Sequence, residues 1–218
     1  MAACRLDTAT NRLRLPRHPT ACQWLVELDL TANMLSELPS VVSDLAGLRT
    51  LKLGGNLLRE LPHSLGQHYD AASDDGLDVL DISRNRFQKL PAELFARGCP
   101  HRPCRPPPGA PPVHLPVRIF EVSPRVLRLP REELNATDNK IDAVCSEILG
   151  LSTLTTLRLS RNLLSANLGL GAEAAASIKT QLACLQRVAL SGNLLGPSDP
   201  VVEAMRAVCD ANGGLLRL

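Results

Sequence analysis

The chain has 218 residues, with 24 Lys and Arg against 22 Asp and Glu, so its formal net charge is only +2. A chain this close to neutrality has no global charge that would attract nucleic acid or an anionic membrane. It contains one Trp, one Tyr and three Phe, too few to provide stacking platforms for single-stranded nucleic acid.

The N-terminal segment, residues 1–19, holds several charged side chains and no apolar run, so it does not resemble a secretory signal. No stretch approaches the ~20 consecutive apolar residues that a membrane helix needs. The seven cysteines are odd in number and scattered, which is typical of reduced thiols inside a cell. The sequence therefore predicts an intracellular, cytoplasmic protein without membrane insertion.

A leucine pattern recurs along the chain and predicts its architecture. Residues 48–62 spell L-x-x-L-x-L-x-x-N-x-L-x-x-L-P, and residues 25–39 give the same spelling one repeat earlier. Further copies begin near positions 77, 131, 154 and 185. The asparagines of the six copies are Asn33, Asn56, Asn85, Asn139, Asn162 and Asn193. One such repeat cannot bury its own leucines, so neighbouring repeats stack and share one core.

The central L-x-L of each copy is predicted to be a short strand with two buried leucines and exposed neighbours. The asparagine that follows can satisfy backbone groups of its own repeat and of the next one. Asn167 lies outside this register, and we expect its replacement by alanine to cost little stability.

These residues and spacings resemble the leucine-rich repeat family, in its intracellular variety with Leu-Pro after the asparagine, as in Ras-signalling scaffolds. The resemblance implies a curved α/β solenoid of about seven repeats, roughly 22–31 residues each. It implies a parallel sheet on the concave side and a mixture of tight and helical returns on the convex side. It also implies protein–protein interaction, without a catalytic residue, a metal or a cofactor.

Both ends of the solenoid depart from the pattern. Residues 3–15 are predicted to be a worn first repeat, with Leu6, Asn11 and Leu13 in register. Residues 215–218 resemble the opening of another strand, in which Leu215 would correspond to Leu185, and would leave an uncapped end available for contact. Between the ends, the shortest repeats are predicted to have tight returns, and the alanine-rich stretch after Gly171 favours a helix.

The repeats are predicted to form two blocks, residues 1–96 and 130–218. Residues 97–129 include a proline run at 106–112, and this composition predicts a disordered, proline-rich insertion. Four potential zinc ligands lie in it: Cys99, His101, Cys104 and His114. A second ligand pair at similar spacing is missing, so free thiols on a loop are the favoured interpretation.

Residues 169–174, Gly-Leu-Gly-Ala-Glu-Ala, match the G-x-G-x-x-A signature of a nucleotide-binding loop. Such a loop follows a strand directly, whereas here the predicted strand ends near Leu159 and two repeat positions intervene. The pattern favours a plain turn into a helix. A nucleotide-binding enzyme remains the remote alternative.

The candidate partner-binding surface is the exposed side of the predicted strands. Its residues are Glu27, Asp29, Arg49, Lys52, Asp78, Asp81, Glu133, Asn135, Arg158, Arg161 and Arg187. The final two repeats contribute only basic residues, so we expect Arg158, Arg161 and Arg187 to form one patch that no local carboxylate neutralises. Such a patch would attract an acidic partner. At any single position, an ordinary solvated sheet face is the equal alternative.

A second candidate surface is the slot directly after the asparagine. Apolar side chains occupy it at Met34, Leu57, Leu163 and Leu194 and predict a rim, which Arg86 and Lys140 interrupt. Taken together, the sequence predicts a scaffold or adaptor that binds another protein on its concave face. The alternative is a regulatory subunit that inhibits or targets an enzyme such as a phosphatase or a small GTPase.

Overall fold

The described residues of the computed structural model are 5–7, 12–14, 25–45, 47–62, 64–65, 77–90, 132–171 and 173–218. Within them, β1 (Arg5–Asp7) and β2 (Arg12–Arg14) form a separate antiparallel pair in which Leu6 stands opposite Leu13. The prediction that residues 3–15 form a first repeat of the solenoid is therefore wrong. The two segments are close neighbours in the chain, so pairing them with each other closes a much shorter loop than docking them on the sheet.

Seven strands form one parallel sheet, in the order of the chain. They are β3 (Glu27–Asp29), β4 (Thr50–Lys52), β5 (Val79–Asp81), β6 (Glu133–Asn135), β7 (Thr156–Arg158), β8 (Arg187–Ala189) and β9 (Leu215–Arg217). The central residues of β3 to β8 stand in register and are buried: Leu28, Leu51, Leu80, Leu134, Leu157 and Val188. This row of buried residues confirms the predicted L-x-L strands. Successive side chains of a strand point to opposite faces of the sheet, so the residues on either side of each buried one lie on the exposed face.

The last strand adopts a register that differs from the sequence alignment. Leu216 stands opposite Val188, so Gly213, and not Leu215, is the equivalent of Leu185. Leu216 and Leu218 take the L-x-L positions, and Leu215 is 54% exposed. The sequence alone allowed either alignment because leucine occupies positions 215, 216 and 218.

The return segments follow the repeat length as predicted. Short returns contain single 3-10 turns, at Ser40–Asp44 and Ser146–Gly150. The longer returns after β7 and β8, which are the ones the structure describes, contain helices, α1 (Ala174–Gln181) and α2 (Pro200–Ala211). Helix α1 confirms the helix expected after Gly171. Among the described helices, none has the length and apolar character of a membrane span.

Helix α2 was not predicted individually, although its start has a clear signal. Asp199 caps it, because its Oδ1 accepts hydrogen bonds from Val201 N at 2.9 Å and Val202 N at 3.3 Å. Pro200 occupies the first helical position, where a missing N–H has no consequence. The apolar face of α2 is buried in the core that lies behind the sheet.

Strand β5 pairs directly with β6, although the chain between Leu80 and Leu134 is long enough for two ordinary repeats. The sheet thus continues across this step without a missing strand. The predicted insertion, residues 97–129, lies outside the described residues, and so do the four potential zinc ligands. The boundaries of the two predicted repeat blocks remain predictions.

Removing residues 99–129 is expected to leave cooperative unfolding and its midpoint nearly unchanged. The deletion brings Leu80 as close in sequence to Leu134 as Leu134 is to Leu157, its partner in the next strand. Denaturant melts followed by far-UV circular dichroism measure the effect. A matched deletion of the same size, residues 158–188, removes one complete repeat and its buried leucines, and should lower the midpoint clearly. Equal losses in the two variants would show that residues 99–129 contribute to the core.

Candidate functional site

A ladder of asparagine side chains holds the strand ends together. Asn56 Oδ1 accepts hydrogen bonds from Leu35 N at 2.8 Å and Asn33 N at 3.2 Å, and its Nδ2 donates to Leu30 O at 2.9 Å and Leu53 O at 2.8 Å. Equivalent bonds recur at the four later asparagines, Asn85, Asn139, Asn162 and Asn193. Each amide therefore joins its own repeat to the preceding one, whereas the sequence argument had assigned the following one. The strands that carry the candidate surface are fixed by this ladder.

The residue before each asparagine has a left-handed backbone. The six residues, with φ between 52° and 72°, are Ala32, Gly55, Arg84, Asp138, Arg161 and Gly192. Only two of them are glycine, so the other four tolerate a conformation that costs L-residues roughly 1–2 kcal/mol. The turn leads the chain from each strand end into the asparagine position of the repeat. A sequence reading cannot detect it at Arg84 or Arg161, because non-glycine residues seldom adopt positive φ.

This turn aligns three charged side chains from adjacent repeats. Asp138 lies between two arginines, with its Oδ2 3.9 Å from Arg84 Nε and its Oδ1 3.6 Å from Arg161 Nη1. On the strands, Arg158 Nη2 lies 3.3 Å from Glu133 Oε1. The prediction that no local carboxylate neutralises Arg158 and Arg161 is therefore wrong. The carboxylates come from the preceding repeat, because parallel pairing places Glu133 diagonally opposite Arg158.

The first strands of the sheet neutralise one another in a similar way. Lys52 Nζ lies 2.5 Å from Glu27 Oε1, and Arg49 Nη1 lies 3.8 Å from Asp78 Oδ2. The hydrogen bond with Glu27 raises the pKa of Lys52. These pairs are solvated and add little to stability. They compensate the cations Arg49 and Lys52, whereas the carboxylates of Asp29 and Asp81 leave this part of the face with a net negative charge.

Three of the predicted partner-binding residues have a structural task. Asp29, Asp81 and Asn135 end their strands, and the Oδ1 of each accepts a hydrogen bond from the backbone N–H two positions later, at 2.9, 2.9 and 3.2 Å. Hydrogen bonds from the side chain and backbone of Thr31 lower the pKa of Asp29. This local turn is typical of Asp and Asn. Its signal in the sequence is Asp or Asn followed two positions later by Ser or Thr.

The last three strands present cations without carboxylates. Arg158 stands opposite Ala189, Ala189 opposite Arg217, and Arg187 opposite Leu215. Arg158, Arg187 and Arg217, hereafter the basic end, thus alternate between the two exposed rows of the face. Neighbouring Cα atoms of this zigzag are about 8 Å apart from the strand spacing and rise. Within the described chain, neither Arg187 nor Arg217 has an ion pair. Arg217 was missed because the last strand had been aligned differently.

The glycine pattern at 169–174 does not meet the requirements of a nucleotide loop. Strand β7 ends at Arg158, and a 3-10 turn at Ala166–Gly169 precedes α1. Gly169 has a φ of 77°, and a Cβ there would lie 2.6 Å from the Cβ of Ala143. Packing against the preceding repeat therefore explains this glycine without a ligand.

Asn167 is more constrained than its position outside the register had suggested. Its φ is 57°, and its N–H donates to Asp199 Oδ2 at 2.5 Å. Alanine tolerates the left-handed region less well than asparagine does. The expectation that Asn167→Ala is nearly neutral is therefore withdrawn.

The described cysteines are free thiols: Cys145, Cys184 and Cys209. Burial raises the pKa of Cys209 to about 11, so this thiol stays protonated and unreactive at neutral pH. Within the described ranges, no three His, Cys, Asp or Glu side chains are grouped so that they could hold a metal ion.

No family model matches the chain, whereas individual known proteins and solved structures resemble it. The chain is 42% identical over 67 residues to an Arabidopsis thaliana protein described as a protein phosphatase 1 regulatory inhibitor subunit PPP1R7 homolog; the match covers 31% of this chain and 20% of that protein. A solved structure, the LRR ectodomain of the Arabidopsis thaliana membrane receptor kinase GASSHO1/SCHENGEN3 in complex with CASPARIAN STRIP INTEGRITY FACTOR 2, is similar with a TM-score of 0.52 and 23% identity. That match covers 86% of this chain and 18% of the other.

The chain spans about a fifth of the length of each of these two proteins. At 23% identity, the structural likeness bears on the fold alone. Together with the seven in-register parallel strands, it shows that the chain is a curved α/β leucine-rich-repeat solenoid.

Proposed function

We propose that this chain is an intracellular, cytoplasmic protein-interaction module that binds a partner on the concave face of its sheet and has no catalytic activity of its own. The observation on which the proposal depends is the basic end. Arg158, Arg187 and Arg217 project from three adjacent strands, and no carboxylate occupies an exposed position of those strands. Backbone pairing of β7, β8 and β9 fixes the positions from which the three arginines project, so their spacing is set before a partner arrives.

The partner best suited to this surface has an acidic patch or segment. A guanidinium group binds carboxylates through two parallel hydrogen bonds, so two unpaired arginines can each engage one carboxylate. Arg158 would exchange its contact with Glu133 for a third. Of the other predicted contact residues, Asp29, Asp81 and Asn135 are occupied with the strand-end turns. Five others already have ion pairs: Glu27, Arg49, Lys52, Asp78 and Arg161.

Two roles are compatible with such a module. The Leu-Pro variety of the repeat, as at Pro39 and Pro62, supports a scaffold or adaptor in signal transduction. The likeness over 67 residues to a phosphatase regulatory inhibitor subunit homolog supports the second role, a regulatory subunit that inhibits or targets an enzyme. A contact through the β9 end of the solenoid would use Arg217 in either case.

Reversing the charge of the basic end is expected to reduce partner capture by about tenfold or more, with the difference shrinking at high ionic strength. The variant is Arg158→Glu, Arg187→Glu, Arg217→Glu. The matched control, Arg59→Glu, Lys89→Glu, Lys179→Glu, makes the same change in net charge on exposed residues outside the strands. Each folded variant is used to capture proteins from cytosol, and the bound proteins are identified and quantified by mass spectrometry.

Equal capture by the two variants, or a loss that does not depend on salt, would contradict binding on the concave face. The same captures separate the two roles. A regulatory subunit should retain an enzyme whose activity changes when the chain is added, whereas an adaptor should retain proteins whose activity does not change.

A further inference from the structure

A second exposed surface runs along the slot that follows each repeat asparagine. Its six side chains, hereafter the ridge, are, in order, Met34, Leu57, Arg86, Lys140, Leu163 and Leu194. Met34, Leu163 and Leu194 are 71%, 54% and 76% exposed. Four of the seven exposed large apolar side chains in the described chain lie on the ridge. Exposed apolar side chains that are concentrated on one line are typical of a binding surface.

Backbone hydrogen bonds keep the ridge continuous. From Leu57 onward, the N–H of each ridge residue donates to a carbonyl of the preceding repeat, at 2.8–2.9 Å: Leu57 to Leu35, Arg86 to Leu58, Lys140 to Phe87, Leu163 to Ile141 and Leu194 to Leu164. The row therefore crosses the long step between β5 and β6 without a break. At about 4.8 Å per repeat, six positions extend over roughly 24 Å.

The order of side chains along the ridge is apolar, apolar, cationic, cationic, apolar, apolar. Arg86 and Lys140 are both exposed, and neither has an ion pair within the described residues. The two cations that interrupt the predicted apolar rim thus form its centre. A partner that covers the ridge must supply negative charge in the middle and apolar side chains at both ends.

We propose that the ridge binds an amphipathic helix of a partner protein, with carboxylates on its two middle turns and apolar side chains at its ends. A helix of about 16 residues is as long as the ridge. Its pitch of about 5.4 Å is close to the repeat spacing, so neighbouring turns of the helix lie near neighbouring repeats, and four to five turns cover the six positions. Helices that lie in apolar grooves use this spacing of anchor residues, three or four positions apart.

A lipid surface fits the same residues less well. Arg86 and Lys140 would meet anionic headgroups there, but the apolar side chains would enter the lipid only as two separate pairs at the ends of the ridge, and the vesicle measurement below distinguishes this occupant. The ridge proposal goes beyond the proposed function, because none of its residues belongs to the concave strands. A single partner with an acidic patch and an acidic helix could use both surfaces.

The proposal is tested by peptide selection against the immobilised full chain. The library is phage-displayed and contains random peptides of this helix length. We expect the enriched sequences to carry Asp or Glu in the middle and Leu, Ile, Met or Phe at both ends, three or four positions apart. The binding of one synthetic peptide of this kind, measured by fluorescence anisotropy, should weaken about tenfold or more in Arg86→Glu, Lys140→Glu. The same peptide with Lys in place of its central acidic residues should bind this variant better than it binds the unaltered chain.

Three comparisons make the outcome decisive. The control Arg59→Glu, Lys179→Glu, with the same net charge, should bind the peptide as the unaltered chain does. The variant with the reversed basic end should also bind the peptide as the unaltered chain does. This comparison distinguishes a failure of the ridge proposal from a failure of the concave-face proposal. Sedimentation with phosphatidylserine vesicles should not capture the chain. The proposal is overturned if no such sequence is enriched, if charge reversal on the ridge leaves binding unchanged, or if vesicles bind through Arg86 and Lys140.

Discussion

Replacing Asn56 by alanine is expected to lower the free energy of unfolding by about 3 kcal/mol. The substitution removes an amide that is 3% exposed and that bonds two backbone N–H groups and two carbonyls, across two repeats. A buried N–H or carbonyl group that loses its protein partner has no water to bond in its place. The variant therefore carries the full desolvation penalty of that group. Urea or guanidinium melts measure the change.

Asn33 provides a matched control, because it is the same residue type in the same slot of the repeat. Its Nδ2 donates to Thr31 O of its own repeat at 3.0 Å, and its side chain is only partly buried. We expect Asn33→Ala to cost no more than about 0.5 kcal/mol. If the two variants lose the same stability, the bonds between repeats do not provide the stabilisation that we assign to them.

Replacing Gly214 by alanine is expected to release the last strand from the sheet. A Cβ at this position would lie 1.9 Å from the carbonyl oxygen of Gln186 and 2.6 Å from its carbonyl carbon. These are backbone atoms of the neighbouring chain segment, and the same oxygen accepts the hydrogen bond from Leu215 N at 2.8 Å. To avoid this clash, β9 must move as a unit. We expect the free energy of unfolding to fall by about 3 kcal/mol, or by the free energy of detaching β9 if that is smaller.

Hydrogen exchange at Leu190 reports this detachment directly, because its N–H donates to Arg217 O at 2.8 Å. We expect faster exchange there in Gly214→Ala and unchanged exchange at Leu30 N, which bonds to Lys52 O far from the change. Gly150→Ala is the control, because nothing lies within 4 Å of the added methyl group. Unaltered exchange at Leu190 in the Gly214 variant would contradict the close approach of the two backbones.

The sequence was sufficient for the parts of the fold that depend on repetition. Leucines at a regular period give the strands, and an asparagine at a fixed place gives the ladder, because every copy reports on the same geometry. The ends were harder to predict. At residues 5–14 two short segments could pair with each other, and at 215–218 three leucines allowed two registers. In both places there is no second copy of the pattern to decide between the alternatives.

The candidate site could be predicted only in part, for a different reason. The strand spelling identified which side chains face outward, but charge compensation depends on the neighbour across the sheet, and that neighbour is set by register. Glu133 and Arg158 belong to different repeats and became partners only through the pairing of β6 with β7. The turn that aligns Arg84, Asp138 and Arg161 requires a left-handed backbone, and the arginines at two of these positions give no sequence signal of it.

The direct pairing of β5 with β6 has a consequence for what this chain can accommodate. The pairing of β5 with β6 requires only that the connection between residues 90 and 132 spans the distance from one repeat to the next. The length of the connection does not enter this requirement. The entropic cost of closing an unstructured loop rises by only about 0.6 kcal/mol for each doubling of its length, so we expect an unstructured addition at this junction to cost little stability. A recognition peptide, a protease cleavage site or an entire foreign domain placed here would leave the repeats on either side in phase.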